Sequence, residues 1–127
     1  MEALSYLDTH VLVWLYAGEI DRLSDTARDR LQHTALLISP MVRLELQYLY
    51  EIGRTSEPAG AVVGELEAQI SLRTCDQPFM EIVAMAEKQE WTRDPFDRII
   101  VAQAALNNTV LLTKDGSIQQ NYTRAVW

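Results

Sequence analysis

Residues 93–113 read RDPFDRIIVAQAALNNTVLLT, a capped helix leading into an unbroken apolar strand. Asp94 reads as the helix N-cap, its carboxylate placed to accept a backbone N–H of the first turn. Pro95 suits the first helical position, where its missing N–H is not needed. Asp97 falls in that first turn, where the helix dipole favours negative charge. Ile100, Val101 and Ala104 come three, four and seven places later, so they share its face. Asp97 therefore heads an apolar stripe and points toward the place where that stripe is buried. Taken alone, the two aspartates need do no more than start a helix. Thr109–Thr113 (TVLLT) is the strand, and Lys114 and Asp115 follow it.

The same alternation extends back through the chain. Leu4–Leu7 is a short apolar strand ending in Asp8. Thr9 or Asp8 caps the helix after it, about Val11–Ala17, which Gly18 closes. Ser24 caps a second helix, Asp25–Gln32, and Ala35–Ile38 (ALLI) is a second buried strand. The helix Met41–Ile52, stopped by Gly53, carries apolar groups on every side. That predicts burial on more than one side, part of it against a second subunit or a partner. Arg54–Gly60 reads as a loop, Ala61–Leu72 as a helix, and Cys75 as part of a short extended piece. Phe79–Gln89 and Asp97–Asn107 are further helices, and Ala125–Trp127 an edge strand. Continuous apolar strands alternating with helices predict an α/β/α sandwich with a central, mostly parallel sheet.

At 127 residues and 48% apolar composition, residues 1–127 are expected to be a single domain with a real core. No apolar run approaches the roughly 20 residues a membrane span needs, so no membrane partner is expected. The start, MEALSYLD, carries acid where a signal peptide carries base. A single cysteine makes no internal disulfide, and a cytoplasmic, reducing setting fits. The net charge of −7 argues against a nucleic-acid partner unless acids gather on cations. Two bound Mg²⁺ would make it −7 + 4 = −3. Arg43, Arg93, Arg98 and Lys114 each lie close in sequence to one of the acids singled out next.

Ligands of open parallel sheets bind beyond the carboxyl ends of the strands. Asp8 and Asp115 sit at such ends, Asp97 starts the helix before the last buried strand, and Glu45 follows ALLI by about two turns of helix. Glu45 has only apolar or aromatic neighbours on its face: Met41, Val42, Tyr48, Leu49 and Ile52. Desolvated there, it needs a cation, a donor or a proton, or else a structural salt bridge. Crowded carboxylates with no His or Cys cluster favour Mg²⁺ or Mn²⁺ over zinc. Such a site suits phosphoryl chemistry. His10 and His33 lack ligand spacing and read as structural or surface residues. Arg93, Arg98 and Lys114 are candidates for holding substrate phosphates. Trp91 either stacks on an unpaired base or packs over a helix end, and packing is the favoured reading. No glycine-rich phosphate loop is present in the sequence.

YLDTHVLVWLYAG, the acid in VRLELQYL, RDPFDRIIVAQA and LLTKD, in that order, resemble the PIN-domain family, and within it the VapC-type toxins of toxin–antitoxin pairs. The likeness covers nearly the whole chain. It implies a PIN-like fold and a Mg²⁺-dependent endoribonuclease whose acidic quartet falls on Asp8, Glu45, Asp97 and Asp115. It also implies a homodimer and a VapB-type antitoxin that wraps the toxin and obstructs its acidic pocket. Thr9 and Thr113 match hydroxyls of the family pattern that support the ligands, a role for which Asp94 is also a candidate. Val42 departs from the pattern, since relatives often carry a small hydroxyl there. Two rival readings remain: a catalytically silent binding module, and a haloacid-dehalogenase-like phosphotransferase. The second normally needs D-x-D, and here the order is Asp8, Thr9, His10.

Overall fold

A computed structural model describes residues 3–127. Met1 and Glu2, the start of the segment read as unlike a signal peptide, lie outside them. Five strands form one parallel sheet. They are β1 (Leu4–Leu7), β2 (Ala35–Ile38), β3 (Arg73–Thr74), β4 (Val110–Leu112) and β5 (Ala125–Val126). The spatial order is β3-β2-β1-β4-β5. β1 is central, and Tyr6 stands opposite Leu37 of β2 on one side and Leu111 of β4 on the other.

Among the described residues, seven α-helices flank the sheet: α1 (Thr9–Ala17), α2 (Asp25–His33), α3 (Pro40–Glu51), α4 (Ala59–Ile70), α5 (Phe79–Ala86), α6 (Pro95–Leu106) and α7 (Gly116–Asn121). Local chemistry sets most of their starts. Asp8, Ser24, Ser39, Asp94 and Asp115 each accept a first-turn N–H at the heads of α1, α2, α3, α6 and α7. Gly18 ends α1 at φ 74°, a conformation that costs a glycine nothing.

Packing then fixes the layers. Leu7, Leu12, Ile38, Leu46, Ile100 and Leu111 are almost wholly buried, each contributing about 1.5–3 kcal/mol. Ile100, Val101 and Ala104, the expected stripe of α6, are all buried. The chain leaves β1 toward β2 on one side and later returns to β4 on the other. Between β1 and β4 the winding reverses, and such a reversal opens a crevice at the strand ends. Among the described residues no helix is long and apolar enough to cross a membrane.

Some expectations needed correction. α4 runs two residues earlier than read, and α5 stops at Ala86 rather than Gln89, where the chain turns. A 3₁₀ turn at Ile20–Arg22 and the short helix α7 had not been foreseen. α3 buries Val42 and Leu46 but leaves Leu44 57% and Tyr48 48% exposed, so within this chain it is covered on one side only.

Candidate active site

The pairing of β1 with β4 builds the site. Leu7 stands opposite Leu112, so the next residues, Asp8 and Thr113, emerge side by side at the same sheet edge. Both oxygens of Asp8 are engaged. Oδ1 accepts the Thr9 N–H at 2.8 Å, and Oδ2 accepts the Thr113 hydroxyl at 2.6 Å. Thr113 Oγ1 in turn accepts the Asp115 N–H at 3.1 Å. One buried hydroxyl thus fixes the acids at the ends of two adjacent strands.

α3 brings the third acid. Thr9, fully buried, donates its hydroxyl to Glu45 Oε1 at 2.5 Å. This is the donor that Glu45 needed and that its own helix lacks. Asp97 comes from the first turn of α6. Asp94, the cap of that helix, accepts the Phe96 N–H at 2.8 Å. Asp115 caps α7 through the Ile118 N–H at 2.9 Å. Asp8, Glu45, Asp94, Asp97 and Asp115 line one cleft of about 260 Å³, with Lys114 at its edge.

The electrostatics of the cleft follow from burial and like charge. Burial raises the pKa of Asp8, against the lowering effect of its bonds from Thr113 and Thr9. Burial also raises that of Glu45, partly offset by the Thr9 hydroxyl. Asp97 is pushed up to about 7, first by burial and then by Asp94, Asp8, Asp115 and Glu45. Among the described residues no hydrogen bond to its carboxylate stands beside these causes to relieve it. The donor set is all oxygen and strongly anionic, which fits a hard divalent cation. Among the described residues no three His, Cys, Asp or Glu side chains already meet at metal-binding geometry. The acids share a cleft without converging on one point.

All four carboxylates of the expected quartet therefore line a common cleft, and Thr9 and Thr113 hold two of them. The expected phosphate-binding bases divide. Lys114 lines the cleft, whereas Arg93 donates to the Glu90 carbonyl and Arg98 to the Thr92 carbonyl, both at 2.8 Å. Arg43 borders a different concavity, beside Gly60. Trp91 packs against the core and donates its indole N–H to Gln89 at 2.9 Å. Val42 is fully buried, so that position serves packing. His10 and Trp14 also line the cleft. Neither was among the expected site residues. Their signal was the i,i+4 spacing on α1, which places both on the face carrying the cleft.

No curated protein sequence matches the chain. Solved structures resemble it in fold. VapBC2 from Rickettsia felis, bound to a DNA fragment from their promoter, superimposes with a TM-score of 0.66 at 17% identity, over 92% of each chain. VapBC-1 from nontypeable Haemophilus influenzae gives 0.59 at 18% identity, over 98% of this chain and 96% of that one. DNA-bound VapBC from Salmonella typhimurium gives 0.58 at 19% identity, over 94% and 92%. The PIN-domain model matches residues 5–123, a span running from β1 past the end of α7 and taking in every acid of the cleft. With that match and this architecture, the chain belongs to the PIN-domain family.

Proposed function

We propose that the protein is a metal-dependent endoribonuclease, the toxin of a VapBC-type toxin–antitoxin pair. The observation that carries this reading is that Asp8, Glu45, Asp97 and Asp115 line one cleft at the sheet's switch point. PIN domains are generally nucleases, and the three solved structures named above are of VapBC pairs. Mg²⁺, or Mn²⁺ in its stead, supplies activation of water and neutralisation of phosphate charge.

The chain's own residues do the rest. Thr113 and the Thr9 N–H fix Asp8 in one rotamer. The Thr9 hydroxyl holds Glu45 toward the cleft. Asp97, its pKa raised by burial and by the neighbouring carboxylates, is a carboxylate whose charge a bound cation would relieve. Lys114 provides positive charge at the edge for a substrate phosphate. A phosphotransferase reading fares worse, because both oxygens of Asp8 already accept hydrogen bonds. The exposed apolar face of α3 suits a homodimer contact or a VapB-type antitoxin, which would close over the acidic cleft.

The test is cleavage of total RNA by the purified protein with Mg²⁺, with EDTA, and with Asp97→Ala. Cleavage should need the metal and disappear in the variant while its fold persists. Undiminished cutting by Asp97→Ala removes the proposal.

A further inference from the structure

Trp14 stands at the mouth of the cleft and is only half buried. Its inner part packs against the core. Around the rest lies an unusual set of neighbours. The His10 ring centroid is 6.2 Å away, and Trp127 meets Trp14 edge-on at 5.7 Å. The Arg22 guanidinium lies 5.7 Å from the ring and the Lys114 ammonium 6.0 Å. Trp91 is likewise partly buried against the core, but among the described residues no cation or second ring lies beside it. Here two cations and two other rings border an indole that opens on a row of carboxylates.

We propose that Trp14 is a stacking platform for an unpaired nucleobase, so that the cleft takes single-stranded RNA with one base seated beside the scissile phosphate. This rests on the ribonuclease reading above. The acids of the cleft, with the cation they would hold, act on phosphate, so affinity for the base beside it needs a separate, uncharged source nearby. A π-face provides one for any base. Paired bases hide their faces within the duplex, which limits the site to unpaired strands. Arg22 is already ion-paired with Glu19, whereas Lys114 is held by the ring alone among the described interactions. The hold of an exposed ammonium on an indole is weak compared with base stacking. A base arriving on Trp14 displaces Lys114, and the freed ammonium moves to the phosphate next to that base. Base recognition and phosphate neutralisation are thereby coupled through one lysine.

The wild-type protein, with Mg²⁺, is given a single-stranded RNA of mapped cleavage site and the same RNA with abasic positions walked past the cut. KM should rise about tenfold at one abasic position, with kcat little changed. Trp14→Leu should raise KM on the intact RNA by a similar factor, Trp14→Phe by much less. On the sensitive abasic RNA, Trp14→Leu should add nothing further, because the same contact is already gone. A walk with no sensitive position, or losses that multiply, overturns the stacking site. Should Trp14→Leu fail to fold, the walk on the wild-type protein and Trp14→Phe still decide. Absence of any RNA cleavage by the wild type sinks the ribonuclease reading itself, whereas cleavage with a flat walk sinks only this inference.

Discussion

At the scale of the residue, Asp97 concentrates the physics of the site. It lies among four other carboxylates, and its pKa is pushed up to about 7 by burial first and their charges next. Between its unperturbed value of 3.8 and that raised value, the folded chain holds a proton that the unfolded chain gives up. Stability from this group is therefore lost as pH rises from about 4 to 7. Solvent reaches the half-buried side chain and tempers the effect. In EDTA the protein should melt lower at pH 8 than at pH 5.5, and Asp97→Asn should flatten that slope in a calorimetric scan. Equal slopes would mean that Asp97 is not under strain. Thr9 makes a second test. Its hydroxyl is the donor to a partly buried Glu45, and losing such a donor costs about 1–3 kcal/mol. Thr9→Val keeps the shape and removes the bond. Mg²⁺ affinity by titration calorimetry should fall about tenfold, the usual scale for a lost partner of a metal ligand.

At the scale of the element, α6 begins with a conflict. Asp94 caps the helix, yet it is the largest charge contribution raising the pKa of Asp97 one turn on. Asp94→Asn retains a side chain that can cap and removes the repulsion. The Asp97 carboxyl should then titrate at lower pH by NMR, with the helix start unchanged; an unmoved titration would place the strain in burial alone. Both roles of Asp94 were legible in the sequence, because capping and first-turn charge are local rules. β1 and β2 were legible to the residue for a similar reason, being apolar runs cut off by Asp8 and Ser39. α7 was not. Six residues are too few to show a helical period, and its only cue was Asp115 three places before Ile118. Asp8, Asp97 and Asp115 could be singled out because each sits at a strand end or helix start, and Glu45 because its neighbours on the face of α3 are apolar or aromatic. The partners of the arginines could not. Arg93 and Arg98 turn to carbonyls of the 90–92 turn, and only the folded chain shows where that turn lies. Trp14 went unremarked and His10 was read as a structural or surface residue because the cleft joins α1 to α3, α6 and the end of β4, and periodicity reports on one element at a time.

At the scale of the molecule, the question is how a chain of net charge −7 holds a polyanion. Five carboxylates line the cleft, and among the described residues that line it Lys114 and His10 are the basic side chains. Without a cation, phosphate approaching that cleft meets a strongly negative potential. Divalent metal offsets much of that charge, and metal, protein and RNA become linked equilibria. Two outcomes should appear together. Mg²⁺ should raise the melting temperature, since whatever binds only the folded state stabilises it, and Asp97→Asn should weaken that rise. Mg²⁺ should also increase affinity for an uncleavable 2′-O-methyl single strand by more than about tenfold over EDTA at physiological salt, as fluorescence anisotropy would read it. Equal affinity with and without the metal would place the RNA on bases elsewhere, such as Arg43 or Arg73. The acidic cleft would then bind metal without being the surface that receives the strand.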